Sequence, residues 1–440
     1  MLKLLSKILP RFIFLFSILL LQGCKTVSTR NEDRSVQKGY DVVCEDKEDD
    51  SVVMYKELHD KKITKGNKGA LMRGTRIKYI GLLVPVTGKY AEIGKQIIDI
   101  AALSIKDSRS KNVKIIVFNT GGDLALDSAK KAAAMGVDVV IGPVLSENTK
   151  AIAHIFNEAK IEVISLSNDP EVAKKGVNVF GIAQDSLMST ILSYAKNAGY
   201  SNFAWILPST KYGYKAGKRI TYLLNGMHMM SIVGEYYPTQ RRMFSTVINR
   251  VVFGRKKYFH VNSEGELYTI NHRDKEKNGS KVVTDPLVEK VVDAIYVDAR
   301  GSDLGELVKE LRSRDLKWNK IGLFSINPFP SFDIEYARYE EGMMIAGVAD
   351  NDIKQLQVKI KRTFGYKPSR VGILAYDAIA TVIYMIEKGN LGKKLYYNNG
   401  YSGYSGDFRF TNSGIVQRRY GIYRVNNNNV EKVYKMPMFV

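Results

Sequence analysis

The sequence predicts an α/β protein of two similar lobes, each a Rossmann-like parallel sheet flanked by helices, with a cleft between them. Short apolar runs alternate with amphipathic stretches of helical length, the rhythm of βαβ units. The alternation begins near Ile77 and restarts after Gly181, so the unit is built twice. With 440 residues, 45% of them hydrophobic, the chain can fill two cores without crosslinks.

The first strand is expected at Ile77–Pro85, followed by a helix from Tyr90 to Lys106 with Ile93, Ile97, Ile100, Ala101 and Ile105 on one face. Val113–Phe118 is the next strand and Leu126–Met135 the next helix. Val137–Ile141 leads through Gly142-Pro143 to a helix at Glu147–Ala159 and a strand at Glu162–Leu166. The second series has helices at 186–198, 214–225 and 240–253, with strands at Phe203–Leu207, Ser231–Tyr236 and Ala294–Val297. Between the last two lies a charged insertion, 255–285, with a short hairpin at Tyr258–Ile270. A helix at 303–314 follows, and strands Ile321–Ile326 and Met343–Val348 are expected to rejoin the first lobe. A long helix runs over Val371–Glu387, and Asn412-Ser413-Gly414 turns a terminal hairpin.

The N-terminus reads as a targeting segment. Lys3, Lys7 and Arg11 precede the uncharged run Phe12–Leu21, the length of a signal h-region and too short to span a bilayer as a helix. Leu21-Gln22-Gly23-Cys24 looks like a bacterial lipobox, with Cys24 as the lipidation site. Acyl chains contribute roughly 0.8 kcal/mol per buried CH₂, enough when several are present for a durable membrane anchor. Lys25 after the cysteine favours the outer over the inner membrane. The only other cysteine is Cys44, so no disulfide framework or cysteine metal site forms. The expected organisation is signal peptide 1–23, flexible tether 24–75, first lobe 76–183, second lobe 184–318, return to the first lobe 319–390, and a second-lobe tail 391–440. Crossovers fall near Ala183, Asn319 and Pro328.

The formal charge of +21 invites a nucleic-acid reading, but the basic residues are scattered and no aromatic-interleaved basic strand occurs. No phosphate loop, HExxH or GxSxG is present, and the five histidines are dispersed. The expectation is a protein with no enzymatic activity, no cofactor, no metal and no nucleic-acid partner.

Ligands of open α/β sheets bind where strands end and helices begin. On the first lobe this selects Thr87 and Gly88, then Ser146 near a helix N-cap, then Ser165 and Ser167. Hydroxyls and backbone N–H groups at a helix start can hold a carboxylate. On the second lobe it selects Gln184 (with Asp185 beside it), Tyr212, and Asp298 with Arg300, an acid for an ammonium and a guanidinium for an anion. Each residue also has a plain structural role open to it, as a cap, strand end or exposed ion pair.

Several stretches in this order resemble one family. They are Gly81-Leu82-Leu83-Val84-Pro85-Val86-Thr87-Gly88, Val140-Ile141-Gly142-Pro143, Ile164-Ser165-Leu166-Ser167-Asn168, Pro208 to Gly213, Ala375-Tyr376-Asp377-Ala378, and Gly403-Tyr404-Ser405-Gly406-Asp407-Phe408-Arg409-Phe410 closing with Gly414. Over residues 76–435 the chain is similar to type I periplasmic binding proteins of the leucine-binding group. The lipobox, the insertion and the terminal hairpin look most like the penicillin-binding protein activator branch, which implies a penicillin-binding protein as partner. The wider family implies instead an ABC permease and an amino-acid-like ligand. Both place the protein in the bacterial envelope, facing the periplasm.

Overall fold

The computed structural model describes residues 52–54, 77–238, 243–253, 258–261, 267–270, 291–299, 302–314, 316, 318–330, 341–349, 352–389, 391, 399–426 and 429–435. The signal segment, Cys24, Cys44 and Arg300 lie outside these residues.

The first lobe is a six-stranded parallel sheet in the order β1-β3-β2-β4-β5-β6. Its strands are β1 (Val52–Met54), β2 (Lys78–Val84), β3 (Val113–Asn119), β4 (Val139–Ile141), β5 (Glu162–Ser165) and β6 (Val177–Val179). Helices α1 (Ala91–Ser108), α2 (Ala125–Ala134) and α3 (Ser146–Glu158) connect them. Because both faces are covered, β2 is a nearly unbroken buried run instead of an alternating one. The tether expectation fails at β1, which adds to the sheet edge with Val52 opposite Ile115. Three residues of edge pairing carry too little apolar pattern to be seen in a charged segment.

The second lobe contains α4 (Gln184–Asn197), β7 (Asn202–Pro208), α5 (Lys211–Gly226), β8 (Met230–Tyr237) and α6 (Phe244–Phe253). The expected hairpin of the insertion is present as β9 (Tyr258–Val261) paired antiparallel with β10 (Leu267–Ile270). Then come β11 (Ala294–Val297), α7 (Ser302–Arg312), β12 (Gly322–Ile326) and β13 (Met344–Val348). These last two strands do not rejoin the first lobe. They extend the second sheet, whose order is β18-β17-β13-β12-β11-β7-β8. A short helical crossover lays β12 directly beside β11, with Gly322 opposite Ala294, and β13 follows next to it. Asn319 and Pro328 therefore lie within the second lobe, and the return crossover comes after β13.

Helices α8 (Ile353–Phe364) and α9 (Arg370–Glu387) complete the first lobe. Lys359 of α8 and Tyr376 of α9 both reach Asp107 of α1, at 2.5 and 2.6 Å. Most of α9 is buried, which explains its apolar run. The chain then forms β14 (Tyr401–Gly403), β15 (Gly406–Arg409) and β16 (Gln417–Arg418), a small antiparallel sheet. Finally β17 (Tyr420–Asn426) pairs antiparallel with β13, and β18 (Asn429–Lys435) with β17. Of the tail, β17 and β18 thus join the second sheet, whereas β14–β16 form a sheet of their own that bridges to the first lobe at Val179 and Ile415.

Three apolar clusters hold this together, two of them confined to outer layers and one running through both lobes past Phe180, Phe408 and Phe410. Burying one such Leu, Ile or Phe contributes about 1.5–3 kcal/mol.

Candidate functional site

On the first lobe the strand ends are tied together by side chains. Asn119, the last residue of β3, accepts from the backbone N–H of Val86, Thr87 and Gly121 at 2.8, 3.3 and 2.8 Å. Its amide donates to Thr87 Oγ1 at 2.9 Å. The loop holding Thr87 and Gly88 is thereby fastened to the next strand end. Gly121 approaches so closely that an added Cβ would sit 2.2 Å from the Thr87 carbonyl oxygen. Gly88 has φ +78°, a left-handed turn into α1. Sequence reasoning missed Asn119, whose only signal was an Asn at a strand end next to a Gly-Gly loop.

The network continues along the rim. Asn148 donates to the Thr120 carbonyl at 3.1 Å, and Thr149 meets Ser165 hydroxyl to hydroxyl at 2.8 Å. Ser165 is fully buried and also donates to the Pro143 carbonyl at 3.3 Å. Ser167, 3% exposed, accepts from the Asp169 N–H at 3.1 Å. Ser146 is not the N-cap of α3: that position is Leu145, with no side-chain cap bond, and Ser146 is the first helical residue. Thr87, Gly88, Ser146, Ser165 and Ser167 thus share one rim, with Ser165 and Ser167 turned inward to hold loops.

The second-lobe rim is different. Tyr212, on the first turn of α5, donates its hydroxyl to Asp298 Oδ2. Asp298 follows β11, is 3% exposed, and its backbone carbonyl accepts from the Tyr237 hydroxyl at 3.3 Å. Beside them Tyr296 is wholly buried, and its hydroxyl has no hydrogen-bond partner among the described residues. Burial pushes its phenol well above the ordinary value, and Asp298, Tyr212 and Asp185 add to the rise. Gln184 opens α4, half-buried, after Ala183 at the first crossover. Its neighbour Asp185 pairs with Arg219 at 3.2 Å.

Among the described residues, polar contacts tie the lobes at the rim and at the crossovers. Across the rim, Lys215 of α5 reaches Glu171 of the first lobe at 3.1 Å, with Lys150 at 3.7 Å from the same carboxylate. At the crossovers, Arg418 donates to the Phe180 carbonyl at 2.7 Å and to Ser405 Oγ at 3.1 Å, between the Phe180 and Phe408 rings. Asp377 accepts from the backbone N–H groups of Tyr404 and Ser405 at 2.9 and 2.6 Å. Burial raises the Asp377 carboxyl and lowers the Arg418 guanidinium to about 10. Asp377 therefore fastens the Tyr404-Ser405 turn to α9. Among the described residues no cluster of His, Cys, Asp or Glu is arranged to hold a metal, and no helix is long and apolar enough to cross a membrane.

Residues 78–254 match the family of periplasmic binding proteins. The fold is that of a type I periplasmic binding protein, with parallel sheets flanked by helices in two lobes. A putative branched-chain amino acid ABC transporter protein of Rhodospirillum rubrum superposes with TM-score 0.61 at 16% identity, over 81% of this chain and 100% of that one. The C-domain of LpoA from Haemophilus influenzae, a regulator of PBP1A, superposes with TM-score 0.55 at 16% identity, over 81% and 100%. At such identity the likeness is one of fold. In sequence, 134 residues are 26% identical to an uncharacterized protein of Rickettsia prowazekii (strain Madrid E), covering 30% of this chain and 36% of that one. The match thus spans little more than a third of that relative's length.

Proposed function

We propose that this protein is an envelope lipoprotein that regulates peptidoglycan synthesis by docking on a penicillin-binding protein, anchored through Cys24 to the outer membrane and facing the periplasm. The observation that carries this reading is the state of the first-lobe rim. Thr87 is held by Asn119, Ser165 by Thr149 and Pro143, and Ser167 by the Asp169 N–H. These bonds fasten loops: the buried Ser165 commits its proton to the Pro143 carbonyl, while Thr87 and Ser167 act as acceptors and keep an O–H to donate. A rim built for its own rigidity suits a protein that works through its outer surface. The likeness to the whole LpoA C-domain supports the same reading. Such a regulator needs no catalytic residue or cofactor, only a few kcal/mol of preference for one state of its partner.

The test is stimulation of a purified penicillin-binding protein from the same envelope by the full chain, with binding followed in parallel. Saturable binding and faster crosslinking are expected; neither binding nor stimulation would sink the proposal. Cys24→Ser should move the protein out of the membrane fraction, and unchanged fractionation would remove the anchor from the account.

A second reading, the solute-binding component of an ABC importer, is favoured by one observation. The Tyr296 hydroxyl, without a partner among the described residues, sits beside Asp298 and Tyr212 in a buried corner whose oxygens suit an ammonium group. Micromolar binding of an amino acid in calorimetry, abolished by Asp298→Asn, would decide for the importer.

A further inference from the structure

We propose a ligand site on the second lobe, at the end of the sheet opposite the cleft, for a small anion carried on a flat ring. A cavity of about 500 Å³ opens there, walled by Tyr194, Tyr200, Arg312, Trp318, Glu341 and Arg424 among others. That volume is typical of small-molecule sites. It is far from the cleft: Gly322 in its wall is level with Ala294, four residues before Asp298, or about 13 Å along the strand.

Arg312 ends α7, and its guanidinium donates to the Glu341 carbonyl at 2.5 Å and lies 4.7 Å over the Trp318 ring. The indole is itself oriented by a bond from its Nε1 to the Arg314 carbonyl at 3.3 Å. This fixes one planar cation against one planar ring. Tyr200 is held edge-on against Phe324 with centroids 5.1 Å apart, and Tyr194 lies against Tyr434. Arg424 is exposed on β17 and lines the same opening.

The chemistry follows from these groups. Among the described lining residues two guanidiniums accompany one carboxylate, Glu341, a positive balance. A guanidinium offers paired N–H donors that match a carboxylate or phosphate. Rings at the walls take the flat body of a ligand by stacking or apolar contact. Glu431 lies opposite Arg424 in the β17–β18 ladder and competes for it, which limits affinity but leaves Arg312 in place. Neutral ring compounds lack a partner for the cations, and cations are repelled. The site is independent of which reading of the cleft is correct.

The experiment is calorimetry on the full chain with the flat-ring anions benzoate and phenyl phosphate, glucuronate as a puckered-ring anion for comparison, and benzyl alcohol as the uncharged control. Trp318 emission is followed in parallel. At least one anion should bind and quench Trp318, and the control should not. The ranking separates an aromatic carboxylate from a phosphate or a sugar acid. Arg424→Gln, at an exposed position that leaves folding intact, should weaken binding by about tenfold. Arg312→Lys, which keeps the charge and loses the stack, should weaken it several-fold. No heat with any anion at millimolar concentration overturns the proposal. So does binding that survives Arg424→Gln unchanged and is lost in Asp298→Asn, because the anion then sits in the cleft.

Discussion

The two rims of the cleft use polar side chains in opposite ways. On the first lobe, neutral groups are engaged with backbone: Asn119 alone satisfies three N–H donors, and Ser165 is buried against Thr149. On the second, a buried carboxylate, Asp298, is held by one phenol while another, Tyr296, stays unpartnered. The difference teaches that a polar residue at a strand end is not evidence of ligand binding until its partners are known. A satisfied hydroxyl stiffens the loop, whereas an orphaned one marks unused capacity.

The sharpest way to break this contrast is to cut the crossover that holds the rims in register. Arg418→Met removes the buried cation facing Asp377 and should lower stability by roughly 3–5 kcal/mol in chemical denaturation. A loss of less than about 1 kcal/mol would show that the crossover network is incidental. Asn119→Ala should come next, at about 2–3 kcal/mol, because it leaves several rim donors without an acceptor. The expected companion effect is faster hydrogen exchange at Val86, Thr87 and Gly121. Slow exchange in the variant would contradict the clamp.

A second comparison uses tyrosines. In the first lobe, Tyr366 and Tyr376 donate to Asp99 and Asp107 of α1, at 3.1 and 2.6 Å, whereas Tyr296 in the second has no acceptor. Tyr376→Phe should therefore cost about 1 kcal/mol or more. Tyr296→Phe should be neutral or stabilising, and equal losses at both positions would mean that Tyr296 is hydrogen-bonded after all. The smallest effect concerns pH. All three phenols are held above their ordinary value of 10.0, burial being the first cause in each. The folded chain keeps protons that the unfolded chain releases, so this stabilisation is complete below pH 10 and is lost as the pH rises above it. Phenolate absorbance should appear together with unfolding for these groups; full ionisation in the native state would remove the effect.

Much of the fold was legible. The apolar runs of β2, β3, β7 and β11 and the one-sided helix α1 follow from burial on both faces of a sheet or along one stripe. The lobe address of β12 and β13 was not legible. Gly322–Ile326 is a short apolar strand that would suit either sheet, and its neighbour is chosen by the crossover through α7. At the site, the strand-end rule selected Thr87, Ser146, Ser165, Ser167, Tyr212 and Asp298, but set Asp298 beside Arg300 and did not foresee its bond from Tyr212. It missed Asn119 and Tyr296, since one reads as an ordinary strand end and the other as core.

The sequence by itself determined the α/β class, the doubled βαβ rhythm and the residue types available at the strand ends. These depend on local periodicity and on apolar burial, which each segment carries in its own composition. Only the tertiary structure decided which hydroxyls are engaged, which phenol is orphaned, and where Arg312 and Trp318 leave a cavity. Those outcomes depend on hydrogen-bond partners far apart in the chain, and a donor at one position has no knowledge of its acceptor until the sheets have packed.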